Sequence, residues 1–332
     1  MKFDDSHPLY DIYLACRPDH FCVEYVINGH MINGYMAWLN NSDHIFATVH
    51  RFWKDTAATI TDHGNKLITA LHDPRCPDDV FDADSSISFR GEDGKFYALM
   101  SRMKCPERRA EVNHARRALR AAGFRTVESD CVREGSGDTL FDPNFGIWWT
   151  GIGKRTSPGA GRQLSALSGR PVIEVPTIDD HFYHLDTFLS FLPSGHVVLY
   201  KEAMTAETYN TICSLYPADK RLELTKSEAM AFGANLQIVT AYAKDNAQTH
   251  HVLIPHDCPS RVAETVKEWG YEVKPVNISG VRHAGGGVHC CFQRVWDLGR
   301  HPMRLPDDFN TPPHRSHYRQ PHLYRKKLAL VA

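Results

Sequence analysis

No run of apolar residues in this chain approaches the roughly 18–20 needed to span a bilayer. Neither sign of charge predominates: Lys+Arg is 38 and Asp+Glu is 39, a formal net charge of −1. Phosphate-backbone binding therefore has no global electrostatic basis, which argues against a general nucleic-acid binder. No CxxC occurs, and the nine cysteines (16, 22, 76, 105, 131, 213, 258, 290 and 291) are odd in number and scattered. That pattern is neither a disulfide framework nor a zinc finger. The nucleotide signatures GxGxxG and GxxxxGKS/T are missing from any strand-to-helix setting, which disfavours a nucleotide enzyme. The N-terminus, MKFDDSHPLYDIY, carries two acidic residues where a secretory signal is basic and then apolar. The expectation is a reduced, cytoplasmic chain that binds neither nucleic acid nor membrane.

What remains is an ordinary globular composition, with 42% apolar and 23% charged residues in 332. That length accommodates two average domains or one large repetitive α/β domain. One alternation recurs, in which a helix-like segment stops at Gly or a polar turn and a short β-branched strand follows. Residues 42–71 open on the N-cap candidates Ser42 and Asp43 and carry apolar residues at helical spacing. Residues 107–122 read as a helix ending at Gly123, with FRTVES after it. Segments 158–169, 205–216 and 259–269 repeat the pattern before RPVIEVP, RLELT and YEVKPVNI. Residues 301–332 differ in composition, being rich in Pro, His and Arg. They read as a tail on a main domain spanning 1–300.

Between the helix–strand pairs lie segments that set polar residues beside hydrophobic strands. One marker from each, Asp84, Glu134, His184, Asn235 and Cys290, gives intervals of 50, 50, 51 and 55 residues, and Asn28 lies 56 before Asp84. A period of this length predicts repeated supersecondary units, each contributing one polar residue near a common axis.

Several of these residues are chemically capable. Cys290 follows Gly285, Gly286, Gly287, Val288 and His289, and a thiolate beside a glycine loop suits attack on an electron-poor carbon. The alternative is a buried cysteine opening a strand, on which Cys291 would face the opposite way. His184 and Asp186, two apart in HFYHLDT, would share a face if extended, and a His–carboxylate pair suits acid/base work beside a cation. Glu134 and Asp138 bracket EGSGD, a tight turn or a solvated loop. Asp78, Asp79, Asp82 and Asp84 crowd CPDDVFDAD, a cluster for a metal or for a cationic substrate. Arg108, Arg109 and Arg155 suit a carboxylate partner or surface ion pairs.

Taken together, the segments resemble the guanidino-group-modifying superfamily of arginine deiminases, dimethylarginine dimethylaminohydrolases, arginine dihydrolases and glycine amidinotransferases. CPDDVFDAD is similar to PDxVFxxD, CPERRAEV to PSRRKEV, EGSGDTLF to EGGDVLF, and WWTGIGKRT to a strand ending GxSxRT. HLDTFLSFLPSG is similar to HxDxxF…G, GANLQIV to AxNxxxL, and GGGVHCCF to GGxHC. The matches keep the family's order and cover about residues 75–295. CRPDHFCVEYVING resembles the opening of a dihydrolase-like branch.

The resemblance implies an α/β fold, a five-bladed pseudo-fivefold propeller (pentein) of ββαβ units. It implies that Cys290 is the nucleophile and that His184 protonates the departing amine. Glu134 and Asp84 would clamp the guanidinium, with Asp186 a further carboxylate and Asp78 part of the substrate-binding set. Arg108 and Arg155 would hold the substrate's α-carboxylate. It implies no cofactor and no metal; the partner is a small guanidino substrate, and a homo-oligomer is compatible with it. The chain also departs from each branch. Dimethylarginine hydrolases usually lack the aspartate matched by Asp186, dihydrolases carry Asn at the position of Asp84, and EGSGD is one residue longer than EGGD. The length leaves no room for the deiminases' inserted helical domain. A hydrolase of arginine or an N-substituted arginine, an amidinotransferase with an amine acceptor, and a catalytically dead binding homologue are the readings to separate.

Overall fold

The computed structural model describes residues 10–91, 93–243 and 247–297. The expected boundary at residue 300 and the tail 301–332 lie outside them. Among the described residues, fifteen strands form five three-stranded sheets of one pattern. The first joins the two ends of the described chain: β1 (Asp11–Cys16) pairs parallel with β2 (Lys66–Ala70) and antiparallel with β15 (Gln293–Asp297). The next four are consecutive in sequence. They are β3–β5 (Ser86–Arg90, Phe96–Met100, Arg125–Glu128) and β6–β8 (Thr139–Asp142, Ile147–Ile152, Val172–Pro176). Then follow β9–β11 (Leu189–Leu192, His196–Leu199, Arg221–Glu223) and β12–β14 (Gln237–Tyr242, Gln248–Pro255, Glu272–Val276).

In each sheet an antiparallel pair is followed by a helix and then a parallel third strand. A parallel partner requires such a crossover, and the helix supplies it. The crossover helices are Met31–Asp62, Val112–Ala121, Gly161–Ser168, Ala206–Leu215 and Ser260–Glu268. In the second, Val112, Ala115 and Leu119 fall on one face and are buried with Ala98 and Met100 of β4. Burying one such leucine contributes about 2 kcal/mol. Helix Ala206–Leu215 begins at Thr205, whose hydroxyl accepts from the Thr208 amide. Helices Val112–Ala121 and Ser260–Glu268 stop just before Gly123 and Gly270, as expected, and Gly161–Ser168 is capped by left-handed Gly169.

Two readings of the sequence are corrected here. The segment 42–71 is not one helix. The helix begins earlier, at Met31, and has a non-helical residue at Asn41, just before the expected caps Ser42 and Asp43. It ends at Asp62, and Lys66–Ala70 is β2. KLITA has too few residues to separate helical from alternating periodicity, and pairing with β1 decides it. Asn28 is also not the marker of a sixth unit. It lies in the connection from β1 to the long helix, in the sheet that already owns Cys290 through β15.

Candidate active site

Each of the five markers lies just before the first strand of its sheet: Asp84 before β3, Glu134 before β6, His184 before β9, Asn235 before β12 and Cys290 before β15. Most sit in or beside a single tight turn: Asp82–Ser85, Gly135–Asp138, Leu185–Thr187 and Val288–Cys291. The Gly135–Asp138 turn touches the other three, so residues about 50 positions apart become neighbours. The approach is close. A Cβ on Gly137 would lie 2.1 Å from Asp84 Oδ1 and 2.9 Å from His184 Nδ1, and one on Gly287 would lie 2.3 Å from Asn235 Oδ1. Glycine at these positions is a packing requirement.

His184 donates from Nε2 to Glu134 Oε2 at 2.9 Å, and its Nδ1 lies 3.6 Å from Asp84 Oδ1. Burial works against a charged imidazole here, but Asp84, Asp138 and Glu134 outweigh it and raise the His184 pKa to about 9. Burial likewise opposes the Glu134 carboxylate, while Arg155 and His184 hold it well below the usual range. Arg155 donates to Glu134 Oε2 at 2.7 Å, and its guanidinium carbon stacks 4.6 Å from the Tyr183 ring centroid. Arg108 donates to Asp84 Oδ2 at 2.6 Å and is held by Glu111 at 2.8 Å. All of the charged groups among these are at most 5% exposed.

The Cys290 thiol donates to Asp186 Oδ2 at 3.2 Å. Two N–H groups point at its sulfur, from Asn235 Nδ2 at 3.3 Å and the Gly287 amide at 3.4 Å. The Asn235 amide is itself oriented: Nδ2 also reaches the Asp186 carbonyl, and Oδ1 accepts the His289 amide at 2.9 Å. Burial, then Asp186 and Asp84, keep the thiol protonated, against the Gly287 amide. Burial pushes Asp186 up to about 6. Asp78, also pushed by burial to about 6, accepts from the Tyr25 hydroxyl at 2.9 Å.

Tyr25 belongs to the connection between β1 and the long helix, which crosses over this cluster. Arg155 donates to the Ile27 carbonyl at 2.9 Å, Asn28 Nδ2 donates to the Ala284 carbonyl, and His30 Nε2 lies 3.1 Å from the His181 carbonyl.

The structure therefore brings together Cys290, His184, Glu134, Asp84, Asp186, Arg108 and Arg155, with Asp78 at the margin beside Tyr25. Two local expectations fail. Cys290 and Cys291 lie in a helical turn, not on a strand, so strand alternation does not separate them. Successive residues of such a turn still diverge by about 100°. His184 is extended, but Asp186 is in a 3-10 turn, so the two part ways: His184 toward Glu134, Asp186 toward Cys290. Three contributors had no role assigned from the sequence. Asn235 was noted only for its spacing, and Asp138 only as an end of EGSGD. Glu111 was legible as the carboxylate three positions after Arg108 in ERRAE. Asp138 accepts the Leu185 amide at 3.3 Å and the Thr156 hydroxyl at 2.6 Å, and burial raises its pKa to about 7.

The chain is 28% identical over 288 residues to the bifunctional arginine dihydrolase/ornithine cyclodeaminase ArgZ of Synechocystis sp., covering 85% of this chain and 37% of that protein. The chain thus spans little more than a third of that relative. It is 26% identical to the N(G),N(G)-dimethylarginine dimethylaminohydrolase of Mycobacterium tuberculosis, covering 85% of each. The crystal structure of the N-terminal domain of ArgZ, bound to substrate, superposes with a TM-score of 0.74 at 25% identity, covering 86% of this chain and 98% of that one. The same domain has been crystallised covalently bonded to a reaction intermediate. The structural likeness gives the pentein α/β fold, and the family model described as N,N dimethylarginine dimethylhydrolase, eukaryotic, matches residues 17–296, so the chain belongs to that family.

Proposed function

We propose that the protein is a cysteine-dependent hydrolase of a guanidino substrate, arginine or an N-substituted arginine, working through a covalent thiouronium on Cys290. The observation that carries this is the convergence of a thiol, a charged histidine and three carboxylates in one buried cluster. The crystallised covalent intermediate of the ArgZ domain supports it. We also read the five like sheets as the blades of a pseudo-fivefold α/β propeller, with one marker residue per blade at its axis.

A guanidinium is a poor electrophile, and carboxylates fix its plane and position. Asp84 and Glu134 already hold guanidinium groups, those of Arg108 and Arg155. An incoming substrate exchanges with them, and the released arginines turn to its α-carboxylate. The bound cation offsets the carboxylates that keep Cys290 protonated. The thiol proton passes to Asp186, already its acceptor, and Asn235 and Gly287 donate to the thiolate.

Sulfur attacks the guanidinium carbon to give a tetrahedral adduct. His184 gives its proton to the departing amine as the C–N bond breaks, leaving a thiouronium. Neutral His184 then takes a proton from water as the oxygen attacks that carbon. The C–S bond breaks as the C=O bond forms, the adduct's hydroxyl giving its proton to solvent; sulfur leaves as thiolate and recovers its own proton from Asp186, and the product carries the new oxygen. No step requires a cofactor. The connection over the site, from Tyr25 to His30, must open for entry.

Incubation with arginine, methylarginines and other guanidines, with product identification by mass, tests the reading, and adding glycine detects amidino transfer. Hydrolysis products are expected. No turnover of any guanidine, together with no labelling of Cys290 by a chloroacetamidine reagent, would leave a binding homologue instead.

A further inference from the structure

A second cluster of ligand-type side chains lies outside the catalytic centre. Cys76, Asp79 and His114 each offer one atom, and these atoms all lie within 4.8 Å of one another. All three residues are buried, Cys76 completely and Asp79 at 1% exposure. His114 Nδ1 is 2.8 Å from Asp79 Oδ2, while Asp79 Oδ1, also buried, has no hydrogen-bond partner. Burying a carboxylate oxygen without a partner is costly, and a cation is one way of satisfying it. A second carboxylate is nearby: Asp73 Oδ2 is 3.7 Å from His114 Nε2.

We infer that Cys76, Asp79 and His114 form a binding site for a divalent transition-metal ion of the zinc class. Sulfur, imidazole and carboxylate are the donors zinc takes, at about 2.3 Å for sulfur and 2.0–2.2 Å for nitrogen and oxygen. Three ligands whose atoms share one small sphere need only slight movement to reach those distances. Water completes a tetrahedron. His114 also lines an open groove of about 430 Å³, which gives an ion a path in. Four arginines border that groove: Arg75 is paired with Asp73, Arg116 with Glu128 and Arg120 with the Thr126 hydroxyl, and Arg117 stands beside them. Binding replaces the Cys76 S–H bond with a metal–sulfur bond and releases one proton to solvent.

The location gives the site a consequence. Cys76 and Asp79 lie on the segment that leads to Asp78 and Asp84, and His114 lies on the helix that follows Arg108 and Glu111. A metal here would tie the two arms of the Asp84–Arg108 pair together from behind. The inference does not depend on which guanidine, if any, is turned over.

The test uses the full chain carrying Cys290→Ala, so that the catalytic thiol takes no part. After loading with zinc and dialysis, one zinc per chain is expected by elemental analysis. Cobalt is expected to give thiolate-to-metal charge-transfer absorption in the near ultraviolet. Adding Cys76→Ser should abolish both, and zinc should raise the Tm of the parent and not of the double variant. If Cys76→Ser does not fold, X-ray absorption at the zinc edge of the parent decides: one sulfur with nitrogen or oxygen neighbours is expected. Absence of stoichiometric zinc in the parent, zinc retained after Cys76→Ser, or a shell without sulfur would overturn the inference.

Discussion

Arg108 lays its guanidinium 2.6 Å from the Asp84 carboxylate, in a site where both side chains are almost wholly buried. The carboxylate proposed to clamp the substrate cation is thus already holding a cation of the same shape. Asp84→Asn removes that charge. A hydrogen bond to a charged group contributes about 1.5–3 kcal/mol, so kcat/KM for guanidino substrates should fall on the order of tenfold to a hundredfold. Arg108 keeps Glu111, and circular dichroism should show an intact fold. Unchanged kinetics would remove Asp84 from the site.

Cys290→Ser should abolish turnover, because a serine hydroxyl is barely ionised and lacks thiolate nucleophilicity. The covalent adduct seen by intact mass after quenching with substrate should disappear with it. Cys291 is equally buried but makes no hydrogen bond to the catalytic groups. Cys291→Ser should therefore keep activity within about tenfold, its cost being packing. Peptide mapping of the adduct to Cys291 would overturn the nucleophile assignment.

The carboxylates around His184, Asp84 first, then Asp138 and Glu134, set the pH response. The folded His184 pKa is raised to about 9, so its stabilising contribution is full below about 6.5, the unfolded value, and is lost as pH rises through about 9. Glu134 is depressed, so its contribution is present above about 4.5 and is lost as pH falls toward its folded value. The kcat profile should decline on the alkaline side near 9 as the general acid loses its proton. Glu134→Gln should move that limb to lower pH; a limb that stays in place would disconnect Glu134 from His184.

Gly137→Ala tests the close approach of the turns. The added methyl would meet Asp84 and His184 atoms rather than open space. Displacing either by about 1 Å can cost on the order of a hundredfold in rate. A folded but nearly inactive variant is expected, and wild-type kcat/KM would mean that the turns do not meet as described.

Much of this arrangement was legible in the chain, because a 50-residue interval between polar markers is a property of sequence alone. Asp84, Glu134, His184, Asn235 and Cys290 each open a sheet, as that spacing anticipates. The failures came where tertiary pairing overrides a short local pattern. KLITA fits a helix until β1 lies beside it, and HLD and VHCC read as strands until the crowding of four turns curls them. The pairings Arg108–Asp84 and Arg155–Glu134 span 24 and 21 positions. No local periodicity encodes them.

The sheet that joins β1 to β15 also dictates when the buried cluster is completed. Cys290 is separated from β1 by most of the chain, and its turn leads straight into the strand that β1 awaits. A nascent chain that has emerged through β14 already carries Asp84, Glu134, His184 and Asn235, but it has neither Cys290 nor a second partner for β1. Closing so long a loop is entropically expensive and slow. Of the five marker residues Cys290 is thus the last to be synthesised, and its turn joins the other four only when β15 pairs with β1.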